Sequence, residues 1–122
     1  MTQEDKALLL KDLCARLPYR TKVRRYRYTT PIDSIQSVEL LGLGWLEELY
    51  GEEAEFKPYL FPLSSMTEEQ SKVYHELIKG MFGTSALINF EVLTDFFNSN
   101  HLDYRGLIKM GLAIDATGLN IY

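Results

Sequence analysis

The chain has a single cysteine, only two histidines, and no stretch near the roughly 20 apolar residues that a transmembrane helix needs. One cysteine excludes an internal disulfide framework and any zinc module built on several cysteines. The first apolar run, at positions 7–10, follows Glu4 and Asp5 and is too short for the core of a signal peptide. These absences favour a cytoplasmic protein without a membrane segment.

Motifs that bind phosphate or activate a serine are also missing. Gly42 and Gly44 lack the third glycine of a dinucleotide fingerprint and the Lys-Ser/Thr pair of a phosphate-binding loop. Ser64 and Ser65 lack the flanking glycines of a nucleophile elbow. The sequence therefore predicts no cofactor-binding residues and no serine nucleophile.

The histidines and the cysteine give no further support for catalysis. His75 and His101 lie far apart and outside any spacing typical of a metal site. Cys14 adjoins a stripe of leucines, which predicts a small buried side chain rather than a nucleophile. We therefore predict no catalytic residues, no metal site and a protein that is not an enzyme.

The periodicity of apolar residues predicts one α+β domain spanning residues 1–122. Its predicted order is an N-terminal helix, a small antiparallel sheet of three to five strands, two to three helices and a short C-terminal hairpin. The predicted helices run from the Thr2 cap to Pro18, from the Thr67 capping box to Gly83, over 87–97 and over 103–110. The predicted strands cover 19–30, 35–43 and 56–63, and the hairpin joins 112–115 to 119–122.

Three details of this reading bear on the structure. Pro58 and Pro62 predict that the strand over 56–63 lies at a sheet edge, since proline donates no ladder hydrogen bond. Residues 45–50 fit either a strand or one helical turn. Val92 is expected to be buried with the apolar face of its helix.

Charge is segregated along the chain, whose net charge is −4. Residues 1–30 carry eight basic and three acidic side chains, whereas residues 31–56 carry seven acidic side chains and no lysine or arginine. The basic part is concentrated in segment 19–28, where tyrosines alternate with cations. Arginine and tyrosine together suit nucleic acid, because cations neutralise phosphates and tyrosine rings stack on bases. The alternative is that these arginines pair with the acidic segment 33–55 across an antiparallel ladder.

A second motif, Asp103-Tyr104-Arg105-Gly106, opens the predicted helix over 103–110. Asp103 is suited to capping that helix, while Tyr104 and Arg105 belong to the residue types enriched in interface hot spots. The alternative is a local arrangement in which Tyr104 packs and Arg105 pairs with an acid such as Asp95. The candidate interaction surface comprises Arg24, Arg25, Tyr26, Arg27, Tyr28, Tyr104 and Arg105.

Three stretches carry a resemblance to a known group: TQEDKALLLKDLCARLPY, FKPYLFPLSSMTEEQ and FFNSNHLDYRGLIKMGLAI. With these the chain resembles a group of short uncharacterised proteins of Bacteroidales-type gut bacteria, often encoded in mobile or phage-derived regions. The resemblance implies a genomic setting in a mobile element and no residue roles.

These observations favour a non-enzymatic protein–protein interaction or accessory module without a cofactor. Its partner is expected to be another protein or a second copy of the chain. The alternative is a nucleic-acid-binding accessory protein that uses the Arg/Tyr-rich segment 19–28. The net negative charge and the acidic segment disfavour that alternative, because both oppose the approach of a polyanion.

Overall fold

The computed structural model describes residues 1–28, 32–41, 44–51, 54–80 and 86–122. Over these ranges the chain forms four α-helices and five strands, which confirms the predicted α+β class. The helices are α1 (Gln3–Ala15), α2 (Trp45–Tyr50), α3 (Glu68–Gly80) and α4 (Ala86–Ser99). The strands are β1 (Lys22–Arg27), β2 (Ile32–Ser37), β3 (Ala54–Pro62), β4 (Leu102–Asp103) and β5 (Ile114–Asp115).

The sheet is mixed, and β3 lies at its centre. Strands β2, β1 and β3 pair antiparallel in that order, whereas β4 and β5 pair with β3 in parallel. The prediction of an edge strand over 56–63 is therefore wrong. The prolines fit a central strand because each one ends a run of pairing: Pro58 is the last partner of β1, and Pro62 is the last residue of β3.

The segment between β2 and β3 departs from the prediction in two places. The strand predicted over 35–43 begins earlier and ends at Ser37, after which Val38–Leu40 forms a 3-10 turn that buries Val38. Residues 45–50, which fitted two structures, form helix α2. Residues 42 and 43, the end of the strand predicted over 35–43, lie outside the described residues.

The C-terminal segment forms turns where a helix over 103–110 was predicted. Gly106 and Gly111 both have φ of 77°, a left-handed conformation that a right-handed helix cannot contain. Asp103 therefore caps no helix; its two carboxylate oxygens accept the backbone N–H groups of Leu107 and Ile108, each at 2.9 Å, and close these turns. The predicted hairpin is not formed either, because β5 pairs with β3 rather than with residues 119–122.

Among the described residues, buried side chains form three groups in the core. Leu9 and Leu13 of α1 pack with Val23, Leu49 and Phe56 between α1, α2 and one face of the sheet. The other two groups surround Leu60 with Leu107 and Leu112, and Leu102 with Leu93 and Phe97. Leu93 and Phe97 are buried as predicted, whereas Val92 is 43% exposed and that prediction is wrong.

Helix α1 buries charged side chains beside two leucines of its apolar stripe. Lys6, Asp12 and Arg16 are buried together with Leu9 and Leu13, while Cys14 is exposed, so the buried thiol was a wrong prediction. The physical reason is the pairing of charges. Asp12 and Arg16 form an ion pair one helical turn apart at 2.8 Å, which lets both side chains leave water.

Helix α3 begins at the capping box that the sequence predicted. The Thr67 hydroxyl accepts the backbone N–H of Gln70, and the Gln70 side chain accepts the backbone N–H of Thr67. We expect Thr67→Ala to lower the free energy of unfolding by about 1 kcal/mol, because it leaves the Gln70 N–H without its cap. Chemical denaturation measures this loss, and Thr67→Ser is the matched control that keeps the acceptor. An unchanged denaturation midpoint for Thr67→Ala would contradict it.

Candidate functional site

Strand β1 divides the basic segment between the two faces of the sheet. The pairing register places Val23, Arg25 and Arg27 on the face that packs on α2, and Arg24 and Tyr26 on the opposite face. The candidate residues therefore do not form one continuous surface. The side away from α2 is here called the outer sheet face, and its members are Arg24, Tyr26, Tyr28, Asp33, Ile35, Glu55 and Lys57.

Aromatic rings form the centre of the outer sheet face. The rings of Tyr26 and Tyr28 meet edge to face, with centroids 5.4 Å apart. The Arg24 guanidinium lies 5.8 Å from the centroid of Tyr26, within range of a cation–π contact. Tyr28 is 54% exposed, and Ile35 on β2 is 52% exposed. An aromatic and aliphatic surface is thus available to solvent on an ordered sheet.

The charges of the outer sheet face are paired with one another. Arg24 donates two hydrogen bonds to Asp33, from Nε and Nη2, both at 2.9 Å. Lys57 lies 2.7 Å from Glu55, whose other carboxylate oxygen accepts the Tyr28 hydroxyl at 2.7 Å. These contacts hold the pKa of Glu55 below its usual value, with Lys57 the main cause and Tyr28 the lesser one. The face is therefore close to neutral although it contains four ionised side chains.

Two adjoining cavities open along the outer sheet face. The smaller, of about 170 Å³, is lined by Arg24, Tyr26, Tyr28, Glu55 and Lys57. The larger, of about 520 Å³, shares Tyr28, Glu55 and Lys57 and extends past Lys6 of α1 to residues 110–112. Together they make a groove with Tyr26 and Tyr28 at one end, which is the kind of surface that accepts a side chain from a partner.

The remaining arginines of β1, Arg25 and Arg27, lie on the face of the sheet that packs on α2. Arg25 donates to both carboxylate oxygens of Glu48 on α2, so that helix is fixed to the strand by a two-point ion pair. The Nε of Arg27 is buried and has no hydrogen-bond partner in the described part of the chain. Pairing of the basic segment with the acidic segment thus accounts for Arg24 and Arg25.

Tyr104 and Arg105 do not belong to the outer sheet face. They lie beside α1, where Arg105 joins the buried ion pair of Asp12 and Arg16. Arg105 donates to Asp12 at 3.1 Å and not to Asp95, the acid suggested by the sequence, which accepts the Tyr19 hydroxyl instead. Tyr104 stacks on a phenylalanine of α4 and carries the guanidinium of Arg105 at 4.8 Å from its ring centroid. Through these contacts Tyr104 and Arg105 connect the C-terminal segment to α1 and α4 and stabilise the fold.

Within the described ranges there is no group of three or more potential metal ligands. None of the helices in those ranges combines the length and the apolar character that crossing a bilayer requires.

Sequence reasoning missed several members of the groove. Lys6, which lines the groove, was not assigned to any site, and Ile35, which lies on the outer sheet face beside the groove, was assigned only to a strand. Met110 and Leu112 reach the groove because of the turns at Gly106 and Gly111. The one available signal was the alternation along β1, which separates Arg24 and Tyr26 from Arg25.

Comparison of the chain with protein-family models, with curated proteins and with solved structures found no match.

Proposed function

We propose that the protein is a non-enzymatic interaction module and that a partner protein binds its outer sheet face. The observation that carries this proposal is the exposure of Tyr28 and Ile35 around an ordered aromatic pair. Tyrosine and arginine are over-represented among residues that dominate binding energy at protein interfaces. The groove beside them supplies the concave surface that a partner side chain needs to be desolvated.

The pairing of charges favours a protein over a nucleic acid as the partner. Arg24 and Lys57 already contact carboxylates, so a phosphate would have to replace Asp33 or Glu55. Arg25 is held by Glu48 on the other side of the sheet and is not directed to the same ligand. Nucleic-acid affinity depends on several cations facing one backbone, and this arrangement does not support it.

The edge of β2 makes a second copy of the chain one possible form of that partner. Over the described residues, β2 pairs with β1 along one side only, and its six residues contain no proline or lysine that would oppose strand addition.

We also propose that the protein acts in the cytoplasm and that it belongs to the Bacteroidales-type group that its sequence resembles. Both stay predictions.

Photo-crosslinking from the outer sheet face tests the proposal. A photoreactive phenylalanine analogue in place of Tyr28 is expected to yield a discrete protein adduct in cells that produce the protein. The same analogue in place of Phe90, an aromatic residue of similar exposure on α4, is the matched control and is expected to yield none. An added Ile35→Asp change is expected to reduce the Tyr28 adduct about tenfold, since it places a charge in the interface.

The results distinguish a second copy of the chain, a different protein and a nucleic acid as the partner. An adduct with twice the mass of the chain identifies a second copy, and any other protein adduct identifies a different protein. Equal adducts from positions 28 and 90, or none from position 28, would refute the outer sheet face as the binding surface. Micromolar binding of DNA or RNA at about 150 mM salt, abolished by Arg24→Ala with Arg25→Ala in a folded protein, would establish the nucleic-acid alternative.

A further inference from the structure

A separate cavity of about 590 Å³ lies at the opposite end of β1 from Tyr28. Its walls come from the 3-10 turn Leu17–Tyr19, the start of β1, the end of β2, the loop before β4 and the C-terminal segment. It is a shallow cavity that is largely open to solvent, so it can take one group of a ligand rather than enclose a whole molecule. The lining residues are Tyr19, Arg20, Lys22, Ser37, Glu39, His101, Ile121 and Tyr122.

The backbone around this cavity adopts unfavourable conformations. Three non-glycine residues in the described part of the chain have positive φ: Arg20 at 53°, His101 at 56° and Asn120 at 52°. Arg20 and His101 line the cavity, and Asn120 precedes Ile121, which also lines it. Left-handed non-glycine residues cost free energy and gather at functional sites more often than elsewhere.

Arg20 and His101 both occupy positions where glycine is the residue that fits best. Arg20 directly follows the turn Leu17–Tyr19, and His101 follows the end of α4, so each stands where a helix ends in a left-handed residue. Glycine at either position would relieve the strain and remove the side chain from the cavity. The presence of an arginine and a histidine there is therefore not explained by backbone stability.

His101 is held in place before any ligand arrives. Its ring stacks on Tyr122 with centroids 3.9 Å apart and planes 14° apart, and its Nδ1 lies 3.1 Å from the Thr21 hydroxyl. Burial, with a contribution from the nearby Arg16 charge, lowers the pKa of His101 to about 4. The imidazole is therefore neutral near pH 7 and offers a hydrogen bond rather than a charge.

The cations of the cavity are available to an anion. Within the described residues the Arg20 guanidinium has no ion pair or hydrogen bond, and the Lys22 ammonium donates only to the neutral Ser37 hydroxyl, at 3.2 Å. Glu39 is the one acidic side chain among the lining residues, beside the two basic side chains. Arginine and lysine beside a fixed hydrogen-bonding ring form a site suited to an oxyanion.

We propose that this cavity binds a small molecule through an oxyanion, a phosphate or carboxylate group, with Arg20 and Lys22 as its charged donors. Two cations and one carboxylate balance a single anionic group rather than a polyanion. The site is distinct from the outer sheet face and does not depend on the function proposed for that face.

Titration of the full chain with inorganic phosphate and, separately, with acetate tests the proposal by NMR. We expect saturable shifts of the His101 ring and of the amides of residues 20–22, with a dissociation constant in the millimolar range or tighter. Arg20→Gly is expected to weaken phosphate binding about tenfold or more, because a hydrogen bond to a charged group is lost. The same change is expected to leave the thermal midpoint unchanged or raised, since it removes backbone strain.

Lys72→Gln is the matched control, since it removes an exposed cation of α3 that lines neither this cavity nor the outer sheet face; it is expected to leave the affinity within about twofold. Phosphate binding without acetate binding assigns a phosphorylated ligand, and the reverse assigns a carboxylate. The proposal is wrong if neither anion gives saturable shifts at these residues. It is equally wrong if a folded Arg20→Gly protein binds phosphate as tightly as the original chain.

Discussion

Replacing Asp12 with asparagine is expected to lower the free energy of unfolding by about 3–5 kcal/mol. Asp12 is fully buried and is the carboxylate that contacts both Arg16 and Arg105. Asparagine keeps the volume but removes the charge, so Arg16, itself fully buried, would remain in the interior without a counter-ion. The expected loss is a large share of the stability of a typical domain, and chemical denaturation followed by circular dichroism measures it.

Two further variants keep this prediction testable. Glu4→Gln removes an exposed acid from the same helix and is expected to cost less than about 0.5 kcal/mol. If Asp12→Asn does not fold, Arg105→Gln gives a milder test, because its side chain is 18% exposed and can still reach water. A loss below about 1 kcal/mol for Asp12→Asn would show that the Arg16 charge does not depend on this carboxylate.

The same ion pair shows what the sequence could and could not predict about α1. The Thr2 cap predicted where α1 begins, and Pro18 predicted that the helix ends before it. Asp12 and Arg16 are spaced for an ion pair within one helix, but that spacing is equally common on solvated faces. Burial of the pair depends on Arg105, which lies 93 residues away in the chain and donates to Asp12. No local pattern contains that information.

The sheet was predictable to a similar depth. The alternation from Val23 to Arg27 predicted β1 and the division of its side chains between two faces. The prolines of β3 indicated an edge strand because proline has no backbone N–H to donate to a neighbouring strand. The rule does not tell where a ladder ends, and in β3 the ladder with β1 ends at Pro58.

The two candidate sites also differ in how far they could be predicted from the sequence. Tyr26 and Tyr28 were assigned to an interaction surface from composition alone, and the structure brings them together on the outer sheet face. His101 was set aside because it lacked a metal spacing. Its importance comes from a left-handed backbone and from stacking on Tyr122, which are consequences of tertiary structure.

The stability of the protein is expected to fall by about 1–2 kcal/mol as the pH is lowered from about 7 to about 4.5, owing to His101. The pKa of this side chain is about 4 in the folded protein, compared with 6.5 in an unfolded chain. Below pH 6.5 the unfolded chain therefore takes up a proton that the folded protein does not, and stability decreases with falling pH. The unscreened difference corresponds to roughly 3 kcal/mol, and access of water to the half-buried ring reduces it.

The groups around His101 support the sign of this effect. Arg16 is the charged group that opposes a positive charge on the imidazole, and it adds to the effect of burial. Arg20, Lys22 and Glu39 line the same cavity, and the Thr21 hydroxyl and the Tyr122 ring add no charge near neutral pH.

His101→Asn isolates the contribution of the histidine. Asparagine tolerates the left-handed backbone at this position and does not titrate, so its stability is expected to change less between about pH 7 and 4.5. Asp33 and Glu55 have lowered pKa values, and their contributions are lost only below the ordinary values of 3.8 and 4.5. The test measures the denaturation midpoints of the original chain and of His101→Asn between about pH 7 and 4.5. If the two midpoints change in parallel with pH, His101 is protonated equally in the folded and unfolded chains, and its ring is not held neutral at the cavity wall.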